Sequence, residues 1–126
     1  MPVRGIRGAT TVDNNTIEDI VDATVEMLKA MIDENDINVD DVASATFSTT
    51  RDLNAEFPAF AARVHLGWEY VALMCHHEMD VPKGLPMCIR AMVLINTDKS
   101  PQEINNVYQR GAVILRDKFA SKTGGD

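Results

Sequence analysis

At 126 residues, 45% hydrophobic and 25% charged, the chain reads as one soluble globular domain with one sizeable core. Lys and Arg number 12 against 19 Asp and Glu, so the net charge is −7 and the pI lies near 4.8. That acidic balance argues against nucleic acid and membrane surfaces as partners, and any anionic ligand has to be met by locally clustered arginine or lysine.

The two cysteines, Cys75 and Cys88, make no disulfide framework of the secreted kind. No N-terminal stretch has the pattern of a signal peptide, and no apolar run approaches the roughly 18 residues of a membrane span. The expected setting is the cytoplasm.

Residues 3–12 read as a first strand in which Gly5 and Gly8 mark places of close backbone approach. Arg4 and Arg7 have opposite parity and so point to opposite faces; Arg7 shares its face with the small residues Gly5 and Ala9. Thr16 with Asp19 has the form of a helix N-cap, and Ile17, Ile20, Val21, Thr24, Leu28, Met31 and Ile32 follow as an apolar stripe ending near Asn35-Asp36. A second strand is expected over 42–48 and a loop over 49–54. Pro58 then opens a short helix that Gly67 stops.

Trp68 and Tyr70 lead into a third strand, and a fourth runs over 88–95. Ser100-Pro101-Gln102-Glu103 has the form of a helix start, with Ile104, Val107 and Tyr108 as the inner face of the helix and Gly111 as its end. Residues 112–115 read as a last strand. The resulting order, β-α-β-α-β-β-α-β, is a mixed sheet covered by helices, an α+β or α/β domain. The domain is expected to span residues 1–116, with 117–126 a flexible tail.

Arg90 stands alone as a charge within the apolar run Cys88-Ile89-Arg90-Ala91-Met92-Val93-Leu94-Ile95. A desolvated guanidinium needs a partner, either Glu78 or an anionic ligand. Cys75, His76, His77 and Cys88 offer zinc-type ligands, yet neighbours on a strand diverge and the spacing matches no common zinc pattern. A Cys75–His nucleophile pair meets the same geometric objection. Arg7 and Arg90, with Arg63 or Arg116 and with Glu78 and Tyr108 alongside, suit an anion pocket, since the arginine fork gives two parallel bonds to a carboxylate. Spacing alone leaves this pocket and ordinary structural salt bridges both open.

The segments Arg4-Gly5-Ile6-Arg7-Gly8-Ala9-Thr10-Thr11, Asp52-Leu53-Asn54-Ala55-Glu56-Phe57-Pro58-Ala59, Gly67-Trp68-Glu69-Tyr70-Val71, Glu78-Met79-Asp80-Val81, Cys88-Ile89-Arg90, Val107-Tyr108 and Leu115-Arg116 together resemble one family. It is the monofunctional chorismate mutases of the trimeric, pseudo-α/β-barrel type, and the resemblance runs from Val3 to Arg116. It implies an α+β chain whose trimer forms the barrel, with each site between two subunits. It also implies rearrangement of chorismate to prephenate by an intramolecular Claisen-type shift, on the route to phenylalanine and tyrosine. Neither metal nor cofactor is required.

Carried over by the resemblance, Arg90 donates to the ether oxygen and a substrate carboxylate, Arg7 binds the enolpyruvyl carboxylate beside Tyr108, and Glu78 accepts from the ring hydroxyl near Cys75. The backbone of Met74, Cys75, His76 and His77 up to Glu78 lines the site, Phe57, Ala59, Leu73 and Leu115 wall it, and Arg63 and Arg116 stand at the mouth. The chain departs from the family pattern at Met74 (usually small and polar), at Phe60 (usually basic), and at Asp117-Lys118-Phe119, which replaces a proline-containing turn. The rival readings are an enamine/imine deaminase of the related trimeric architecture and a non-catalytic metabolite-binding module. At this length no appended regulatory domain is expected, and hence no strong feedback by phenylalanine or tyrosine.

Overall fold

The computed structural model describes the backbone of residues 1–121 and the side chains of residues 1–117. Five strands form one sheet in the order β3-β2-β4-β1-β5. They are β1 (Val3–Thr11), β2 (Val42–Thr49), β3 (Ala72–His77), β4 (Cys88–Asn96) and β5 (Val107–Tyr108). β4 lies antiparallel to both β1 and β2, whereas β3 joins β2 and β5 joins β1 in parallel. The sheet is therefore mixed, and the chain is α+β.

One face of the sheet carries the core. Ile6, Ala45, Phe47, Ile89, Ala91, Val93 and Ile95 alternate inward and meet the buried side of α1 (Ile17–Asn35), chiefly Ile20, Ala23, Met27, Leu28 and Met31. Thr16 caps α1 by accepting from the Asp19 N–H at 3.1 Å. Asp36 closes the helix in the left-handed conformation, φ 51°, its N–H donating to the Ile32 carbonyl. Ile17 falls outside the packed stripe and is 55% exposed. Gly8 is required by this packing: a Cβ there would lie 2.5 Å from Met31 Sδ.

α2 (Pro58–Phe60) continues as a π-helical turn, Ala61–His65, and Gly67 at φ 72° ends the segment. Asn15 fastens the preceding loop, accepting from the N–H groups of Asn54 and Ala55, both at 3.0 Å, and donating to Asn54 Oδ1 at 2.8 Å.

The two C-terminal expectations are corrected. The capping box at Ser100 and Glu103 forms, but the helix ends after one 3-10 turn, Pro101–Glu103. Buried Asn35 captures the following backbone, accepting from the Asn105 N–H at 2.8 Å and donating to the Asn105 carbonyl at 2.9 Å. That tether holds the segment extended, so Val107 and Tyr108 become an edge strand rather than a helix face. The expected last strand over 112–115 is instead the beginning of α3 (Val113–Ser121), which rests Leu115 and the preceding Ala112 on Ala9 and Cys88. α3 crosses the expected domain boundary at residue 116, and residues 122–126 of the expected tail lie outside the described residues.

Candidate active site

The sheet face opposite the core is only partly covered, and strand register decides what it displays. Ala9 pairs with Arg90, Arg90 with Ser48, and Ser48 with His76; one step along, Arg7 pairs with Met92, Met92 with Thr46, and Thr46 with Met74. Paired residues share a face, so Arg7, Arg90, Ser48 and His76 all point to one side. β5 adds Tyr108, paired with Ala9, and α3 adds Leu115. Together they line an open cleft of about 270 Å³.

Polar contacts organise the cleft. Arg7 Nη2 donates to Tyr108 Oη at 2.8 Å, and the Arg7 N–H donates to Asn106 Oδ1 at 2.9 Å. Glu78 follows β3, its N–H donating to the Thr49 carbonyl at 2.8 Å. Its carboxylate accepts from Ser48 Oγ at 3.3 Å and from the Met79 N–H at 2.9 Å. Arg90 Nε lies 3.8 Å from Glu78 Oε2, with the two side chains 22% and 33% exposed. This is a long, partly exposed ion pair at the wall of the cleft, which it does not fill.

Within one chain Cys75 does not stand with Arg90 and Glu78. It points to the other side of β3, where a second cavity of about 400 Å³ is lined by Phe57, Pro58, Cys75, His76 and His77. Cys75 Sγ accepts from the Ala59 N–H at 3.4 Å, and burial pushes its thiol above the usual range, against that hydrogen bond and the Arg63 charge. His77 Nδ1 lies 3.2 Å from Thr49 Oγ1. Leu73 packs against the core, and Ala59 is buried.

Arg63 is exposed, its guanidinium 5.9 Å from the Phe60 ring centre. Phe60 thus provides an aromatic face for that cation. Met74 is 64% exposed beyond the first cleft, and Arg116 is exposed with its Nε 3.6 Å from Asp117. The expected set is accordingly divided: Arg7, Glu78, Arg90, Tyr108 and Leu115 line one cavity, Phe57, Cys75 and His77 line the other, and His76 borders both.

Ser48, Thr46 and Met92 line the first cleft but were not expected from sequence. The polar alternation Ser44, Thr46, Ser48 against Ala45 and Phe47 was the available signal. Among the described residues, no group of three or more His, Cys, Asp or Glu side chains is placed to hold a metal ion. Cys88 is buried beneath Leu115, away from Cys75, and burial raises its thiol pKa.

Fold and cleft together define a small α+β protein with a cleft lined by Arg7 and Arg90 on the open face of a mixed sheet. The chorismate mutase type I family model matches residues 3–119. The chain is 46% identical over 116 residues to Chorismate mutase AroH of Bacillus subtilis (strain 168), spanning 92% of this chain and 91% of the relative. It is 43% identical over 120 residues to Chorismate mutase AroH of Thermus thermophilus, spanning 94% and 98%. A solved chorismate mutase from Clostridium thermocellum superposes with a TM-score of 0.87 at 49% identity, covering 89% of this chain and 99% of that one. The chain belongs to the chorismate mutase type I family, a family of isomerase enzymes.

Proposed function

We propose that the cleft of Arg7, Glu78, Arg90 and Tyr108 binds chorismate and rearranges it to prephenate, the step that leads toward phenylalanine and tyrosine. The family match supports mutase activity and lends nothing to the deaminase alternative. The observation that carries the site assignment is the convergence of two guanidiniums, a phenol and a carboxylate on one small cleft.

The reaction breaks one carbon–oxygen bond as one carbon–carbon bond forms, with no proton transferred and no covalent enzyme intermediate. The protein has two tasks. The first is to hold the flexible enolpyruvyl group over the ring, which converts a rare conformer into the bound one. Arg7, oriented by its hydrogen bond with Tyr108, suits the enolpyruvyl carboxylate. The second is to stabilise negative charge growing on the ether oxygen as that bond stretches. Arg90, largely shielded from water, suits that oxygen. Glu78, held by Ser48 and the Met79 N–H, accepts from the ring hydroxyl.

We infer further that the working protein is a homotrimer with each site between two subunits. Two features support this reading. The expected substrate-binding residues line two cavities of one chain, and among the exposed apolar groups on that chain are 68%-exposed Phe57, at the second cavity, and 64%-exposed Met74, on the strand between them. A second copy that brings its Phe57–Cys75 cavity to the Arg90 cleft would complete one enclosed site and cover those apolar groups. Arg63 would come with it, near the mouth. The catalytic domain is taken as residues 1–116 and the setting as cytoplasmic; among the described residues no helix is long and apolar enough to cross a membrane. Purified protein incubated with chorismate should yield prephenate, and undiminished chorismate would overturn the proposal.

A further inference from the structure

His76 is the one residue that borders both cavities, and the sequence reading assigned it only a backbone role. Its side chain projects from β3 to the same face as Arg90, because both residues pair with Ser48. Two strand spacings separate His76 from Arg90, roughly 10 Å between backbones. That gap is wide enough for a small dicarboxylate between their tips. Arg7 and Arg90 occupy the β1 and β4 side of the cleft, and the β3 side holds His76 and Glu78.

We propose that the His76 imidazole is a third side-chain contact of the substrate, donating to the carboxylate of a dianion that Arg7 does not hold. This rests on the chorismate reading of the cleft. The charged and polar groups that line the cleft with it are Arg7 from β1, Arg90 from β4, Tyr108 from β5 and Glu78 beyond β3. An imidazole carries an N–H donor in either charge state, so the contact bears on substrate affinity, while the chemical step at the ether oxygen stays with Arg90.

The test compares wild type, His76→Ala and His76→Lys in KM and kcat for chorismate at about pH 7.5. His76 is exposed, so neither substitution disturbs the core. The Ala variant, which has no side-chain donor, should raise KM about fivefold, the scale of one partly exposed hydrogen bond. The Lys variant should hold KM within about twofold of wild type, and kcat should stay within about twofold in both. An Ala variant with the wild-type KM would overturn the proposal. If wild type binds chorismate without turning it over, the mutase reading falls by itself. The same three-way contrast is then read as Kd by equilibrium titration, and equal values, or no binding, overturn the His76 contact.

Discussion

Replacing Arg90 with alanine removes the cation assigned to the breaking bond, together with its ion pair to Glu78 and its hydrogen bond to the Cys88 thiol. Glu78 keeps its hydrogen bonds from Ser48 and the Met79 N–H, so its carboxylate is not stranded. The ion pair itself is 3.8 Å long and partly solvated, so its loss should cost the fold no more than about 1 kcal/mol. Catalysis is another matter. With 22% of its side chain exposed, Arg90 acts in a partly desolvated cleft, where a charged donor to growing negative charge contributes about 3 kcal/mol or more. The expected loss in kcat is at least about a hundredfold. Arg90→Lys should fall between, since it restores a charge without the planar fork. Chorismate disappearance followed by absorbance, with thermal melts to confirm folding, makes the measurement. Near-normal kcat for a folded Arg90→Ala protein would refute electrostatic stabilisation by this residue.

Cys75→Ala should keep kcat within a few-fold, because no covalent step is assigned to that thiol; a dead but folded variant would favour nucleophilic chemistry. Since burial raises the Cys75 thiol pKa, its alkylation by iodoacetamide at pH 7.5 should be slower than that of a small free thiol and should accelerate as pH rises. Asn35→Ala should destabilise the protein by about 1–2 kcal/mol in chemical denaturation, by removing the two part-buried hydrogen bonds that tie Asn35 to the Asn105 backbone. It should also weaken substrate binding through loss of Tyr108 placement. Arg90→Ala and Phe57→Asp proteins, each inactive alone, should recover about a quarter of wild-type activity when unfolded and refolded together in equal amounts, as random assembly of shared sites requires; no recovery would argue for sites within single chains.

Much of the architecture is written in local patterns. The stripe from Ile20 to Met31 and the cap at Thr16 specify α1, the alternation from Ser44 to Ser48 specifies β2, and a short apolar run specifies β4. The failures lie where a distant residue overrides a local signal. Ser100 and Glu103 do form their capping box, yet Asn35, some seventy residues earlier in the chain, takes the Asn105 backbone before a second turn can form. Residues 112–115 are apolar but too few to separate a strand from a buried helical turn. The arginines of the cleft were legible from their isolation in apolar strands and, more fully, from the family resemblance. The opposite facing of Cys75 and His76, neighbours on a strand, was legible too; that their two faces line separate cavities of one chain was not, because that depends on how the 53–58 loop packs beside β3.

The central claim is that positioning and charge alone perform the reaction. Its most direct measurement is prephenate formation from chorismate by the pure protein, in H2O and in D2O, each with and without a chelator. The account predicts prephenate as the sole product, with kcat unchanged by the chelator and a solvent isotope ratio close to unity, because no proton moves in the bond-changing step. A rate that collapses with the chelator, a large solvent isotope effect on kcat, or a product other than prephenate would contradict it.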